Sequence, residues 1–528
     1  MKKISVFFIF VAMIAAIEAK EKKETIVMTV AGKDITLSEF IYAAKKGDGI
    51  NFNNKKEVDN YVEIFKNYKL KVADAEARFI HTAPRFEDEM EKLTFQLQSN
   101  YFTDKSGEDS ALQVIYNRTK IFPGIKEIWF KYPLEQISTG QILTKDTLEL
   151  FQKANAVYQR IKNGESFEDV GESMKDEIDV QYTSVENIVP FQLPKILEEQ
   201  IFSMEVGDIS TPIRSMFGFH LIKIDRKAPS PGRLQLAHIF SPYPSSDPTD
   251  EEIEETRKRS EEIYELVSTK NVFDILVKEI SEDTTAMEIS GMLEFGLGEI
   301  LKPIERAGFA LENIGDISKP VQSQFGFHLL KLVDRLPDIS FEEKQSALYD
   351  NMRISDRIFD LYRVFVEKMI PRHGFVFYPE VYAELERLAD EYYPEDTAFI
   401  RRGLEMGKVL LHVDTFDFHQ SDFVEYIYRN KLTNQLYSLD YMNDNLNFFV
   451  REILIELEKS TLERDYPEFK MQLLEYYDGT LLFEISNSRV WSRPEEDQAR
   501  LEAEWIKELN EKYPVKINWK VIRKIKNV

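Results

Sequence analysis

Cysteine is absent from all 528 residues. Its absence excludes disulfide staples, thiol catalysis and an N-terminal lipid held on a cysteine sulfur. Long apolar runs are absent too, except at the start. There Lys2 and Lys3 precede an almost unbroken apolar run from Ile4 to Ile17, and Ala16 and Ala19 stand just before the charged stretch Lys20 to Glu24. This is the layout of a secretory signal peptide, and the run is shorter than the roughly 20 residues a spanning helix needs. Residues 1–19 are expected to be removed, with an uncleaved anchor as the alternative. The mature chain is then a soluble periplasmic protein without a membrane span. Positive charge is in short supply: 68 Lys and Arg against 92 Asp and Glu leave a formal charge of −24. Such a chain repels nucleic acid and anionic membrane surfaces, so neither is an expected partner.

Aromatic residues are abundant, with 37 Phe and 24 Tyr, which separates the chain from disordered sequences. The length allows three to four domains of about 150 residues each. Ile26–Val30 reads as a short strand, Ala31–Lys33 as a turn, and Thr36-Leu37-Ser38-Glu39 as a capping box opening a helix. Helical periodicity, as in Val58–Ala77, then continues to about residue 120, where Pro123-Gly124 punctuates it.

A repeat follows. Gly207-Asp208-Ile209-Ser210 recurs as Gly315-Asp316-Ile317-Ser318, and Phe217-Gly218-Phe219-His220-Leu221 as Phe325-Gly326-Phe327-His328-Leu329. Pro212, Ser215 and Lys223 match Pro320, Ser323 and Lys331. A period of about a hundred residues is far longer than that of solenoid repeats, so each copy is a whole domain. Ala228-Pro229-Ser230-Pro231-Gly232 is the linker. Each copy opens with a strand, continues through helices and closes with a strand, an α+β pattern. In the first, Leu150, Ala154, Val157, Tyr158 and Ile161 form a helical stripe; in the second, Thr249-Asp250-Glu251-Glu252 is a capping box. The expected divisions are a signal peptide (1–19), an N-terminal helical region (20–121), the two copies (122–228 and 232–337) and a C-terminal helical region (338–528). Within the last, Val413, Asp417, Phe418, Ser421, Asp422 and Phe423 echo Val30, Asp34, Ile35, Ser38, Glu39 and Phe40. A repeated strand–turn–helix and a chance match of helix starts both account for the echo.

The repeated phrase G-D-I-S-x-P-x-x-S-x-F-G-F-H-L-x-K resembles the closing half of the parvulin family of peptidyl-prolyl isomerases. In the second copy Ala237-His238-Ile239 resembles the family's opening strand, and Ile280-Ser281-Glu282-Asp283 the segment with its Cys or Asp. Gly291-Met292-Leu293-Glu294-Phe295 resembles its G-x-L-G-x-F turn, and Lys302-Pro303-Ile304-Glu305 with Gly308-Phe309-Ala310-Leu311 its P-F-E…F-A-L helix. The whole chain resembles SurA-type periplasmic chaperones in a long form. The resemblance implies a multidomain α+β fold. Helical chaperone regions flank two four-stranded antiparallel sheets with surrounding helices.

What the resemblance implies of the site is specific. His238 and His328 face each other, Asp283 sits beside them, and Met292, Ile304 and Phe325 form an apolar floor for a proline ring, with Phe309 also binding substrate. In the first copy Glu127 stands where His238 stands, and Lys175 or Asp176 falls near the Asp283 position. His220 and Phe217 survive there, so that copy is expected to bind peptide with weak or no isomerase activity. Twisting an X–Pro bond breaks amide resonance, a barrier of about 18–20 kcal/mol. A catalyst has only to favour the twisted amide over either planar form. Neither cofactor nor metal is implied; the spacing of His412, Asp414, Asp417 and His419 matches no ligand pattern. The loop Ser241–Asp247 contains no cation, so the substrate is expected to be unphosphorylated. Partners are expected to be unfolded or proline-containing polypeptides, outer-membrane proteins among them. Two functions follow: a prolyl isomerase acting through the second copy with a chaperone role in the terminal regions, or a holdase in which both copies only bind peptide.

Overall fold

Ala31 and Gly32 both take positive φ, +52° and +85°, the backbone that a two-residue hairpin needs to match strand twist. They join Ile26–Val30 to Lys33–Thr36, with Val30 opposite Lys33 and Thr29 opposite Asp34. Thr36 Oγ1 then accepts the Glu39 N–H at 3.2 Å and opens the helix Leu37–Lys46. The third strand of this sheet, Val515–Ile517, comes from the other end of the sequence and sets Ile517 opposite Met28. The computed structural model describes residues 24–46, 50–133, 137–138, 140–270, 272–280, 291–432 and 435–526. The expected signal peptide, 1–19, and Asp283 lie outside the described residues. No described helix is long and apolar enough to cross a membrane.

The chain divides into two units. The first joins the residues up to Asp104 with those from Phe449 onward. Its core packs Val27, Phe40, Val62 and Phe65 against Leu481, Ile485, Trp505 and Leu509. The second unit is Lys105–Phe448. Residues 338–528, expected as one C-terminal region, are therefore divided: from Phe449 they complete the core begun by the N-terminal helices. Helical periodicity shows that a face is buried, not which distant segment buries it.

The two repeats form two four-stranded antiparallel sheets of identical order within the second unit. The first runs Val180–Val185, Ile121–Lys131, Gly218–Pro229, Ile213–Ser215; the second runs Met292–Phe295, Arg233–Pro242, Gly326–Leu336, Val321–Ser323. The architecture is α+β: Thr144–Lys162 covers the first sheet with Leu150, Ala154, Val157 and Ile161, and Asp250–Lys270 packs on the second. The glycine of each Phe-Gly-Phe-His phrase has φ of +139° (Gly218) or +150° (Gly326). A Cβ there would lie 1.9 Å from Phe130 O or 2.2 Å from Ser241 O, so only glycine lets the closing strand leave its turn against the opening strand. Pro123-Gly124 does not end the preceding helical stretch but lies inside the first opening strand, where a bulge between Gly124 and Ile125 absorbs it.

The echo beyond residue 400 is structural. Val409–Val413 and Phe416–His419 form a hairpin leading into the helix Gln420–Asn430. Val376–Phe377 is the third strand, on the same side as Val515–Ile517 in the terminal sheet. The registers agree residue for residue: His412 faces Asp417 and Val376 as Thr29 faces Asp34 and Lys516. Tyr378 N–H reaches Leu410 O at 3.0 Å as Asn518 N–H reaches Val27 O at 2.8 Å. The connectivity differs, because the third strand precedes one hairpin and follows the other.

Candidate functional site

His238 lies in the opening strand of the second sheet and His328 in its closing strand, paired so that His238 is opposite Leu330 and Phe240 opposite His328. This diagonal brings His238 Nε2 to 2.9 Å from His328 Nδ1. The rings are nearly parallel, 12° apart with centroids at 5.1 Å, and Phe240 stacks on His328 at 4.7 Å. His328 Nε2 lies 2.7 Å from Ser323 Oγ, which also accepts the Phe325 N–H at 3.1 Å. Both histidines are buried, at 3% and 4% exposure. A single proton occupies the gap between the two rings, so the direction of the Ser323–His328–His238 chain is set as a unit.

In front of the histidines lies an open cleft of about 800 Å³. Leu293, Ile300 and Ile304, from one apolar cluster, form its floor, and Phe240, Pro242, Tyr243 to Ser246, Gln324 and Phe325 complete its walls. Among the described residues that line it, none is Lys, Arg, Asp or Glu. Of the residues singled out in the sequence, the structure gathers His238, Ile304, Phe325 and His328 here. Met292 is a correction: it packs with Ala237, Ile239 and Val267 on the opposite face of the strand, and its neighbour Leu293 meets the floor. Successive strand residues face opposite sides, so a one-residue choice decides which is in the cleft. Phe309 is also outside the cleft, edge-on to Phe295 at 6.3 Å in the core beneath. Ile300 and Tyr243 were missed; the floor motif pointed to neither, and the loop was read only for its lack of cations.

Glu305, the last residue of the matched P-F-E phrase, has a structural role. Its carboxylate is buried and accepts the Gly298 N–H, closing the loop that carries Ile300. Glu198 does the same in the first copy, accepting the Phe191 N–H at 2.9 Å. Glu198 is further held by Arg118 at 2.9 Å and the buried Arg357 at 2.6 Å, both from helical segments flanking the repeats.

The first copy keeps the frame and changes the chemistry. His220 and Phe217 sit in that domain, away from the second-copy cleft. Glu127 Oε1 accepts the His220 Nδ1 proton at 2.7 Å, and His220 Nε2 lies 2.6 Å from Ser215 Oγ. Trp129 stacks on His220 at 5.7 Å in the place of Phe240. A carboxylate accepts only, which places a His220 proton on Nδ1.

Comparison with known proteins agrees with this geometry. The family described as Rotamase, the PPIC-type PPIASE domain, matches residues 136–226 and 238–334. The chaperone SurA of Yersinia pestis bv. Antiqua is 32% identical over 147 residues, which cover 27% of this chain and 33% of that protein. The match thus spans about a third of this relative. The peptidylprolyl isomerase PrsA of Bacillus cereus is 31% identical over 26% of this chain and 50% of that one, with a TM-score of 0.19. A SurA-like chaperone structure from Campylobacter jejuni covers 65% of this chain and 95% of its own at 16% identity and a TM-score of 0.20. Two segments of the chain, overlapping the two sheets of like order, thus match the PPIC-type PPIASE domain of the parvulin family, and a stretch of about a quarter of the chain is similar to the SurA chaperones.

Proposed function

We propose that this protein is an exported folding factor of the periplasm: a prolyl cis–trans isomerase acting through the second repeat, with the remaining regions holding unfolded polypeptides, outer-membrane proteins among them. The observation that carries the isomerase reading is the His238–His328 pair behind an open cleft with an apolar floor. The floor seats a proline ring. The wall positions the peptide, and a low-polarity setting disfavours the planar amide, whose charge separation is greater than that of the twisted one. Asp283 joins the polar set by resemblance. Substitution of Glu127 for the first histidine supports a first repeat that binds peptide with little turnover.

The holdase reading has its own support. Tyr476, Phe483 and Trp491 are 43%, 53% and 48% exposed. The first two are seven residues apart on the helix Pro467–Ser486, hence on one face. A π turn at Asn487–Trp491 follows, and it sets the Trp491 ring 5.9 Å from that of Phe483. Aromatic surface left open to water on one helix face suits an unfolded chain.

The two roles are separated by the full-length double variant His238→Ala, Asp283→Ala. Isomerisation of a proline peptide is expected to fall by at least tenfold while suppression of client aggregation survives. A folded double variant that loses both activities together would show a single shared site. Export is tested by the N-terminus of the mature protein, expected near Lys20 in the periplasmic fraction; Met1 on cytoplasmic protein would refute it.

A further inference from the structure

We propose that Glu299 positions the floor residue Ile300, and that two groups outside the second repeat, Lys344 and Val189, brace it there. This rests on the isomerase reading of the second-copy cleft and adds what holds that cleft in shape. Residues 296–301 link the strand Met292–Phe295 to the helix Lys302–Phe309 and bring Ile300 to the cleft. Glu299 fastens this loop at three points. One oxygen accepts the Gly296 N–H at 2.9 Å and a bond from Arg233 Nη1, and the other accepts from Lys344 Nζ at 3.2 Å. Arg233 begins the strand that carries His238. Lys344 belongs to the helix Phe341–Arg353, past the end of the repeat. Burial pushes the Glu299 carboxyl up, but the Gly296 N–H, Arg233 and Lys344 outweigh it and hold the carboxyl below the usual range.

The first repeat separates the local role of this residue from the role of its charge. Gln192 stands six residues before Glu198 as Glu299 stands six before Glu305. Gln192 Oε1 accepts the Val189 N–H at 3.1 Å, as Glu299 accepts that of Gly296. An amide oxygen is therefore enough to close the turn. The carboxylate of the second repeat adds two charge-assisted bonds, one to a strand and one to a helix beyond the repeat.

The two loops also meet. Gly298 has φ of +82°, and a Cβ there would lie 2.8 Å from a methyl of Val189, so the second loop is already against the first repeat. Val189 is a firm stop, because its neighbour Ile188 is buried and donates its N–H to Pro123 O at 2.8 Å. Phe191, two residues on, packs with Leu348 and Met352 of the helix that carries Lys344. The two repeats and this helix thus meet around a cavity of about 170 Å³, lined by Val189, Arg233, Gly298, Glu299, Lys344 and Leu348 among others. Ile300 follows the clamped residue directly, so any shift of Glu299 is passed to the floor, and small misplacements at a reacting bond are costly.

The test is made on the full-length protein. The methyl NMR signal of Ile300, assigned by its loss in Ile300→Ala, reports the floor, and kcat/KM on a short unphosphorylated proline peptide reports the cleft. Glu299→Gln, which keeps the Gly296 turn, is expected to shift the Ile300 signal and lower kcat/KM by about threefold or more. Lys344→Ala and Val189→Ala are expected to shift the same signal and lower kcat/KM by about twofold, and Lys344→Arg to retain both wild-type values. In an Ile300→Ala background Glu299→Gln is expected to add little, since residues acting through one contact are not additive; two losses that multiply in full overturn the positioning role. An unchanged Ile300 signal in Glu299→Gln overturns the proposal, and an unchanged signal in Lys344→Ala or Val189→Ala overturns that residue's part in the brace. If the wild-type protein turns over no peptide, the isomerase reading fails by itself, and the Ile300 signal still decides whether Glu299, Lys344 and Val189 hold the floor.

Discussion

Glu127 Oε1 lies 2.7 Å from His220 Nδ1, in the place that His238 Nε2 takes beside His328 Nδ1 in the second repeat. An exchange of His for Glu is thus one difference between two domains of the same sheet order and the same closing phrase. If the paired histidines matter to turnover, His238→Glu is expected to reduce isomerisation of a proline peptide by at least tenfold with the fold intact. Glu127→Ala is expected to leave it within twofold. Equal losses would place activity in both repeats.

Asp74 concerns stability in the first unit. Its side chain is fully buried and accepts from Arg78 Nε at 3.0 Å, Lys512 Nζ at 3.0 Å, Tyr513 Oη at 3.2 Å and Trp505 Nε1 at 3.4 Å. Burial pushes its carboxyl up, but the hydrogen bonds and charges of Lys512 and Arg78 outweigh burial and hold it below the usual range. A depressed folded pKa contributes stability that is complete above the unfolded value of about 3.9 and is lost as pH falls through the folded one. Asp74→Asn is expected to cost about 2–3 kcal/mol at pH 7, less than a fully enclosed pair because Arg78 and Lys512 are half-exposed. The difference from wild type is expected to shrink below about pH 4. Urea melts across pH measure both.

Glu198 and Glu305 do the same local work with different surroundings. Glu198→Ala leaves Arg357, 2% exposed, without its buried carboxylate partner. A loss of about 3–5 kcal/mol is expected. Glu305→Ala strands only the half-exposed Lys302 and one loop N–H, so about 1–2 kcal/mol is expected. Denaturant midpoints that fall equally for the two variants would contradict the difference in burial.

Phe483→Ser with Trp491→Ser tests the exposed aromatic face. Because both rings are about half-exposed, stability is expected to change by less than about 1 kcal/mol. Light scattering from an aggregating client is expected to rise toward the level without chaperone. Unchanged suppression would direct the search for client binding to other surfaces.

What was legible in the sequence was local or repeated. The Gly-Asp-Ile-Ser and Phe-Gly-Phe-His phrases announced two like domains: Gly207 and Gly315 take positive φ, and Gly218 and Gly326 also pass within contact of a carbonyl, which no other residue tolerates. The capping box at Thr249 appears as read, and at Thr36 the hydroxyl half of one does, since a cap involves residues three apart. His238 and His328 were legible through the family resemblance, which implied that they face each other, and the structure adds the hydrogen-bond distance between their rings.

Tertiary structure alone decided the rest. Met292 and Leu293 are equally apolar, and only the pairing of Ala237 with Met292 and Leu236 with Leu293 tells which one reaches the floor. Ile517 gives no sign in sequence that it belongs beside Met28, because a strand of three residues from the far end of the chain is specified by the partner it meets. Tyr132 and Tyr243 make the same backbone bond across the turn, yet Tyr132 is buried in a core that includes Tyr437 and Tyr243 is only partly buried, since Tyr437 packs over the first repeat alone. Sequence by itself determined the two repeats and their opening and closing strands, because these are local and recur; long-range packing determined how the terminal segments share a core and which strand faces line the cleft.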